Sequence, residues 1–128
     1  MTRQRGGPPT QRQLRVGEAV RHALIKVLAR GEARDPALDP LGGGALVTVS
    51  EVRMSPDLRH ATCFVTPLGG GDALAMIQGL KRVAAWLRGQ VAQDLTLKFS
   101  PQLHFEADQS FDQAARLDQL LSRADGPA

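Results

Sequence analysis

The feature that most constrains the fold is a pair of extended apolar runs between residues 46 and 66, the second half of which reads RHATCFVT. Ala61, Cys63 and Val65 alternate with polar neighbours, so they share one face of a strand. Residues 55–57, Ser-Pro-Asp, have turn chemistry. The pattern predicts an antiparallel hairpin over 46–66, whose register is fixed because a one-residue slip would expose the apolar set.

Helical periodicity flanks this hairpin. A capping-box pattern at Thr10 and Gln13 precedes a first helix predicted over 11–30. Asp72 is a good N-cap for a second helix predicted from residue 73 to about 93. The apolar positions predicted to face inward are, in the first helix, Leu14, Val20, Leu24, Val27 and Leu28, and in the second, Leu74, Ile77, Leu80, Ala84, Leu87 and Val91.

The last third of the chain predicts a strand and a helix. Apolar alternation from Leu95 to Phe105, interrupted at Pro101, predicts a third strand with a bulge or edge position at the proline. Residues 110–124 begin with a second capping box and carry a helical apolar stripe. The predicted order α-β-β-α-β-α places the chain in the α+β class, with a three-stranded sheet packed by helices. We expect a flexible basic arm at 1–9, one domain at 10–123 and a tail at 124–128.

Composition narrows the class of protein. A chain of 128 residues with 42% hydrophobic residues suits one folded domain. The single cysteine, Cys63, excludes an internal disulfide and a cysteine-based zinc cluster. The N-terminal residues lack the apolar core of a signal peptide, and no run of eighteen apolar residues occurs. We therefore expect a soluble, cytoplasmic monomer with no membrane partner.

Charge is distributed unevenly along the chain. Residues 1–30 hold seven arginine or lysine residues against Glu18 alone, and the pI is about 9.8. Such asymmetry favours a polyanionic partner, although ordinary solvation of helix faces also produces charge runs. The candidate contacts to the phosphates of such a partner are Arg3, Arg5, Arg12, Arg15, Arg21, Lys26, Lys81, Arg82 and Arg88.

Reactive side chains form no catalytic or metal-binding motif. His22, His60 and His104 lack metal-ligand spacing, which favours scattered surface histidines. On a strand, His60 and Cys63 point to opposite faces, so a thiol–imidazole pair is not expected. The glycines at 42–44 precede a strand rather than a helix, unlike a phosphate-binding loop. We predict that the chain is not an enzyme and needs no cofactor or metal.

Three segments carry a resemblance to a known family: TVSEVRMSPDLRHATCFVT at 48–66, RDPALDP at 34–40 and PQLHFEADQSFDQAARLDQLL at 101–121. Over about residues 10–122 the chain resembles the bacterial ribosome-binding factor A family. The resemblance implies a type II KH-like fold. It also implies binding to the free small (30S) ribosomal subunit and help with late maturation of its 16S rRNA, without catalysis.

The sequence departs from the family pattern at two positions. Ala85 stands where the family has the glycine of an Ala-x-Gly kink, which leaves the kink an open question, with Gly79 or Gly89 as the alternative place for a bend. Ala37 replaces the arginine that usually follows Asp-Pro, which removes one expected RNA contact. Trp86 is expected to pack rather than to stack on a base.

Two functional hypotheses follow. The first is the non-catalytic assembly factor, with 16S rRNA within the small subunit as its partner. The second is a protein–protein adaptor that docks a ribosomal protein or a maturation GTPase through the hairpin edge or the acidic last helix, because sheet edges accept partner strands.

Overall fold

The computed structural model describes residues 7–95 and 100–108. Residues 1–6 of the predicted arm at 1–9, the predicted last helix and the tail lie outside this part. The described residues form α1 (Gln11–Ala29), a 3-10 segment (Pro36–Gly44), β1 (Val47–Met54), β2 (His60–Pro67), α2 (Ala73–Arg82), α3 (Ala84–Asp94) and β3 (Gln102–Ala107). The α+β class is confirmed. None of the helices in the described part is long and apolar enough to cross a membrane.

The sheet has the order β1-β2-β3. β1 and β2 form the predicted antiparallel hairpin, and β3 joins β2 in parallel. At the hairpin tip the amide of Leu58 donates to the carbonyl of Ser55 at 2.9 Å, and Leu58 has a φ of 63°. The Asp57 carboxylate accepts from the Ser55 hydroxyl and from the Arg59 amide. The tip is therefore held by its own polar groups, as turn residues of this kind allow.

A β-bulge changes which side chains of β1 face the helices. The register of β1 against β2 shifts between Val49 and Glu51. Val47, Val49, Val52 and Met54 are consequently all buried, although strict alternation would place the last two on the open face. The core lies between this face of the sheet and the helices.

Helix α1 begins with the predicted capping box at Thr10 and covers the outer edge of β1. The Gln13 side chain donates to the carbonyl of Met54 at 3.1 Å, and Arg21 donates to that of Val49 at 3.4 Å. Between them, a Cβ on Gly17 would lie 2.7 Å from the carbonyl oxygen of Val52. Leu14, predicted to be buried, is 54% exposed because the start of α1 presents this side to solvent.

The prediction of one continuous second helix is wrong. The helix ends at Arg82, and α3 begins at Ala84. Val83, between them, has φ −103° and ψ 12°, a conformation open to any residue, so neither Gly79 nor Gly89 makes the break. Gly79 instead lets α2 approach the 3-10 segment, where a Cβ would lie 3.0 Å from that of Ala37. Leu74, predicted to face inward, is 68% exposed in the first turn of α2.

The predicted third strand is described only in part. Leu95, its predicted first residue, is instead the C-cap of α3, and the described β3 begins at Gln102, directly after the buried Pro101. Proline has no amide hydrogen for the ladder, which agrees with its place just before β3. Residues 96–99 lie outside the described part.

Two glycine variants test the contact between α1 and β1. Gly17→Ala should lower the free energy of unfolding, because overpacking against the carbonyl of Val52 costs about 1–3 kcal/mol and outweighs the gain in helix propensity. Gly89→Ala, in α3, has no atom within 4 Å of the new Cβ and should stabilise by about 1 kcal/mol. Urea denaturation of both proteins measures the difference. Equal stabilisation by the two variants would contradict the close approach.

Candidate nucleic-acid interface

Three of the predicted RNA contacts are exposed and uncommitted, which means that their side chains form no hydrogen bond or ion pair with the described residues. Arg12 and Arg15 lie on the solvent side of α1, and Lys81 lies in the last turn of α2. Within residues 7–95 and 100–108 none of the three forms a hydrogen bond or an ion pair. Their charges are available to a partner at no cost in internal contacts. Arg3 and Arg5 lie outside the described residues.

Two further candidates on α1 have internal partners. Arg21 lies 3.0 Å from Glu18, and this hydrogen bond holds the pKa of the Glu18 carboxyl below its usual value. Lys26 lies 3.4 Å from Asp94 at the end of α3, and its side chain remains mostly exposed. Exposed pairs of this kind contribute little to stability, so a phosphate can displace Lys26 from Asp94. Arg21 is more constrained, because it also donates to the backbone of β1.

Arg82 is committed to a structural ion pair. Its Nε and Nη2 donate to the Asp35 carboxylate at 2.7 and 2.9 Å, and the same carboxylate accepts from the amide of Ala37 at 3.0 Å. Asp35 is buried. The Arg82 hydrogen bonds, and secondarily the Ala37 amide, lower the pKa of Asp35. Through Asp35, the RDPALDP segment and the 3-10 segment that begins within it are therefore bound to the end of α2.

Arg88 is fixed against the segment that leads into β3. Its Nε and Nη2 donate to the carbonyl of Ser100 at 3.1 and 2.9 Å, while the Ser100 hydroxyl donates to the carbonyl of Arg88 at 3.3 Å. Two further residues near this contact were not in the predicted set: Arg59, whose side chain forms no hydrogen bond or ion pair in the described part, and His60.

The prediction of scattered histidines is wrong for one pair. The parallel register sets Thr62 against His104, which places His104 diagonally beside His60 on the open face of the sheet. Nδ1 of His60 lies 2.9 Å from Nε2 of His104. Only the strand pairing brings the two rings together, so no local spacing signalled it. His22 lies 3.5 Å from Glu18 instead.

The sequence also predicted that Cys63 and Trp86 are packing residues. Cys63 is fully buried on the face opposite His60, as predicted, and burial raises the pKa of its thiol to about 12. It is therefore a packing residue rather than a nucleophile. Trp86 is 38% exposed in α3, so the expectation that it packs is met only in part. Among the described residues no cluster of three or more histidine, cysteine or acidic side chains could hold a metal ion.

Comparison with known proteins identifies the family. The family model described as ribosome-binding factor A matches residues 12–121. The chain belongs to this family. It is 53% identical over 115 residues to ribosome-binding factor A of Maricaulis maris, a match that spans 90% of this chain and 79% of the relative. To that of Rhodospirillum rubrum it is 51% identical over 123 residues, spanning 96% and 73%.

Solved structures show the same fold. The crystal structure of ribosome-binding factor A from Thermus thermophilus superimposes with a TM-score of 0.60 at 22% identity, over 74% of this chain and 94% of that one. A homology model of the Thermus protein, fitted into the cryo-EM map of a complex of the 30S subunit with ribosome-binding factor A, matches with a TM-score of 0.60 at 21% identity, over 76% and 96%. The KH-like fold implied by the sequence resemblance is confirmed.

The Asp35–Arg82 pair predicts a pH-dependent contribution to stability. Asp35→Asn should lower the urea midpoint at pH 7, because it removes the charge that holds Arg82. The folded-state pKa of Asp35 is depressed, so the pair stabilises above the unfolded pKa of about 4 and its contribution is lost as pH falls through the folded value. The difference between wild type and variant should therefore vanish in strong acid.

The matched control is Asp39→Asn, an exposed carboxyl in the same segment with no hydrogen bond or ion pair in the described part of the chain. Its urea midpoint should equal that of the wild type at every pH. An Asp35→Asn midpoint that also follows the wild type at pH 7 would contradict the structural role of the pair.

Proposed function

We propose that this protein is a non-catalytic assembly factor that binds the free small ribosomal subunit and assists late maturation of its 16S rRNA. Membership of the ribosome-binding factor A family supports the proposal, as does the 30S complex into which the Thermus relative was fitted. The observation that carries it is the set of exposed cationic side chains on Arg12, Arg15 and Lys81, which serve no internal contact in the described structure.

The internal hydrogen bonds and ion pairs of each basic side chain indicate how readily it can bind an RNA phosphate. The three uncommitted side chains can neutralise phosphates directly, and Lys26 needs only to leave an exposed pair. Arg82 would have to weaken its hold on buried Asp35, so it is a poorer candidate, whereas Arg88 can keep its bonds to Ser100 and bind with its remaining donor hydrogens. Arg3 and Arg5 would add reach. Such contacts position a protein on RNA without reading its sequence, so specificity comes from rRNA shape.

The adaptor hypothesis loses part of its physical basis. A partner strand added to β1 needs that strand's outer carbonyl groups, and α1 occupies them at Val49 and Met54 and packs Gly17 over Val52. The acidic last helix lies outside the described residues. Binding to ribosomal proteins or to an assembly GTPase, a cytoplasmic location and a monomeric state stay predictions.

Neutralising the uncommitted side chains should weaken binding to the small subunit. The variant Arg12→Gln/Arg15→Gln/Lys81→Gln removes three phosphate contacts, so the slope of log affinity against log salt should become shallower by about 2–3. At about 0.1 M salt this corresponds to roughly 100-fold weaker binding. Co-sedimentation with purified small subunits across a salt series measures both quantities. The urea midpoint should not change, because the three side chains have no internal contacts to lose.

The control is Arg30→Gln/Arg34→Gln/Arg53→Gln, which removes the same charge from positions outside the predicted set. It should keep most of the affinity and the wild-type slope. Equal losses in both variants would mean that net charge alone drives binding. A wild-type protein that fails to sediment with small subunits would overturn the proposed function itself.

A further inference from the structure

A small groove of about 380 Å³ opens where β2 and β3 begin. Its lining residues are Arg59, His60, Arg88, Ser100 and Gln102. Each of these side chains can donate a hydrogen bond, and none is a carboxylate. We propose that this groove binds a phosphate group of the RNA backbone. The inference rests on the proposed function, to which it adds a defined site where Arg88 of the predicted set is joined by four residues outside that set.

Arg88 supplies a guanidinium whose position is already fixed. Its Nε–H and one Nη2–H are used on Ser100, which leaves both hydrogens of Nη1 and one of Nη2 for a ligand. Because the contacts with Ser100 hold the side chain in place before a ligand arrives, little side-chain entropy is lost on binding. A pre-positioned guanidinium is well suited to phosphate oxygens.

Arg59 supplies a second guanidinium on a clamped backbone. Its amide donates to the carboxylate of Asp57 at 3.0 Å, and its carbonyl accepts from the amide of Gln102 at 2.8 Å. The backbone from which the Arg59 side chain extends is therefore held between the hairpin tip and the start of β3. The guanidinium is attracted by the nearby Asp57 carboxylate but forms no hydrogen bond or close ion pair within 7–95 and 100–108, so all five donor hydrogens are available.

His60 completes the donor set through its contact with His104. Nδ1 of His60 lies 2.9 Å from Nε2 of His104, so one of the two rings donates a hydrogen bond and the other accepts it. When His104 is the donor, His60 carries its own hydrogen on Nε2, where it can serve as a further donor. An anion in the groove favours this tautomer. His104 is then a positioning residue that acts through His60.

The Asp57 carboxylate, two residues before Arg59, does not neutralise the site. Asp57 accepts from the Ser55 hydroxyl at 2.6 Å and from the Arg59 amide at 3.0 Å. These hydrogen bonds, the Ser55 hydroxyl first, lower the pKa of Asp57, so it stays ionised and offsets one of the two guanidinium charges. The groove keeps a net positive charge. Its lining residues include no Phe, Tyr or Trp, and its one aromatic ring, that of His60, is packed against His104, so the groove suits the RNA backbone rather than a base.

A charge-removing variant tests the site. Arg59→Gln should reduce the slope of log affinity against log salt for purified small subunits by about 0.7–0.9, the value for one lost phosphate contact. Affinity at about 0.1 M salt should fall roughly 5- to 8-fold, and Arg59→Lys should restore the slope. Arg34→Gln, which removes another unpartnered arginine outside the groove, should keep the wild-type slope.

The outcomes separate this inference from the proposed function. Wild-type binding to small subunits with an unchanged slope in Arg59→Gln would overturn the groove and leave the proposed function standing. Equal slope losses in Arg59→Gln and Arg34→Gln would overturn it as well. NMR identifies the ligand: an oligouridine RNA should shift the His60 ring signals, whereas shifts caused only by an oligoglutamate peptide would assign the groove to a protein partner and overturn the RNA proposal.

Discussion

The ion pair between Asp35 and Arg82 sets the arrangement of the two later helices. Asp35 is buried in the connection between α1 and β1, and Arg82 is the last residue of α2. The pair therefore fixes the end of α2 against a distant part of the chain, one residue before the break at Val83. From that break α3 takes its direction and delivers Arg88 to the groove. A buried carboxylate without its cation would be costly, so the two residues act as a unit.

The sequence predicted the elements whose signals are local. The capping box at Thr10, the alternation of β2 and the Ser-Pro-Asp turn each depend on neighbouring residues, and all are present in the structure. The break at Val83 had no such local signal, because its backbone angles need no glycine; only the family resemblance pointed to this place, and there Ala85 replaces the glycine of the kink. The β-bulge after Val49 likewise had no local signal, because it depends on how β1 pairs with β2.

The candidate site was less predictable than the fold, since it depends on tertiary contacts. Charge along the chain singled out the basic residues, but only the structure separates uncommitted Arg12 from Arg82, which holds Asp35. The same is true of the histidines at 60 and 104, which meet through parallel pairing across 44 positions of sequence. Composition and spacing indicate which residues carry a surface charge, whereas tertiary contacts decide whether that charge is free to bind a partner.

Because α1 covers the edge of β1, the order of these two elements along the chain also matters during protein synthesis. Synthesis proceeds from the N-terminus, so α1 leaves the ribosome before the hairpin whose edge it covers. The outer carbonyl groups of Val49 and Met54 find Arg21 and Gln13 already present when β1 emerges. An exposed strand edge is a template for intermolecular pairing and aggregation. The order of elements along the chain thus protects the nascent hairpin during translation.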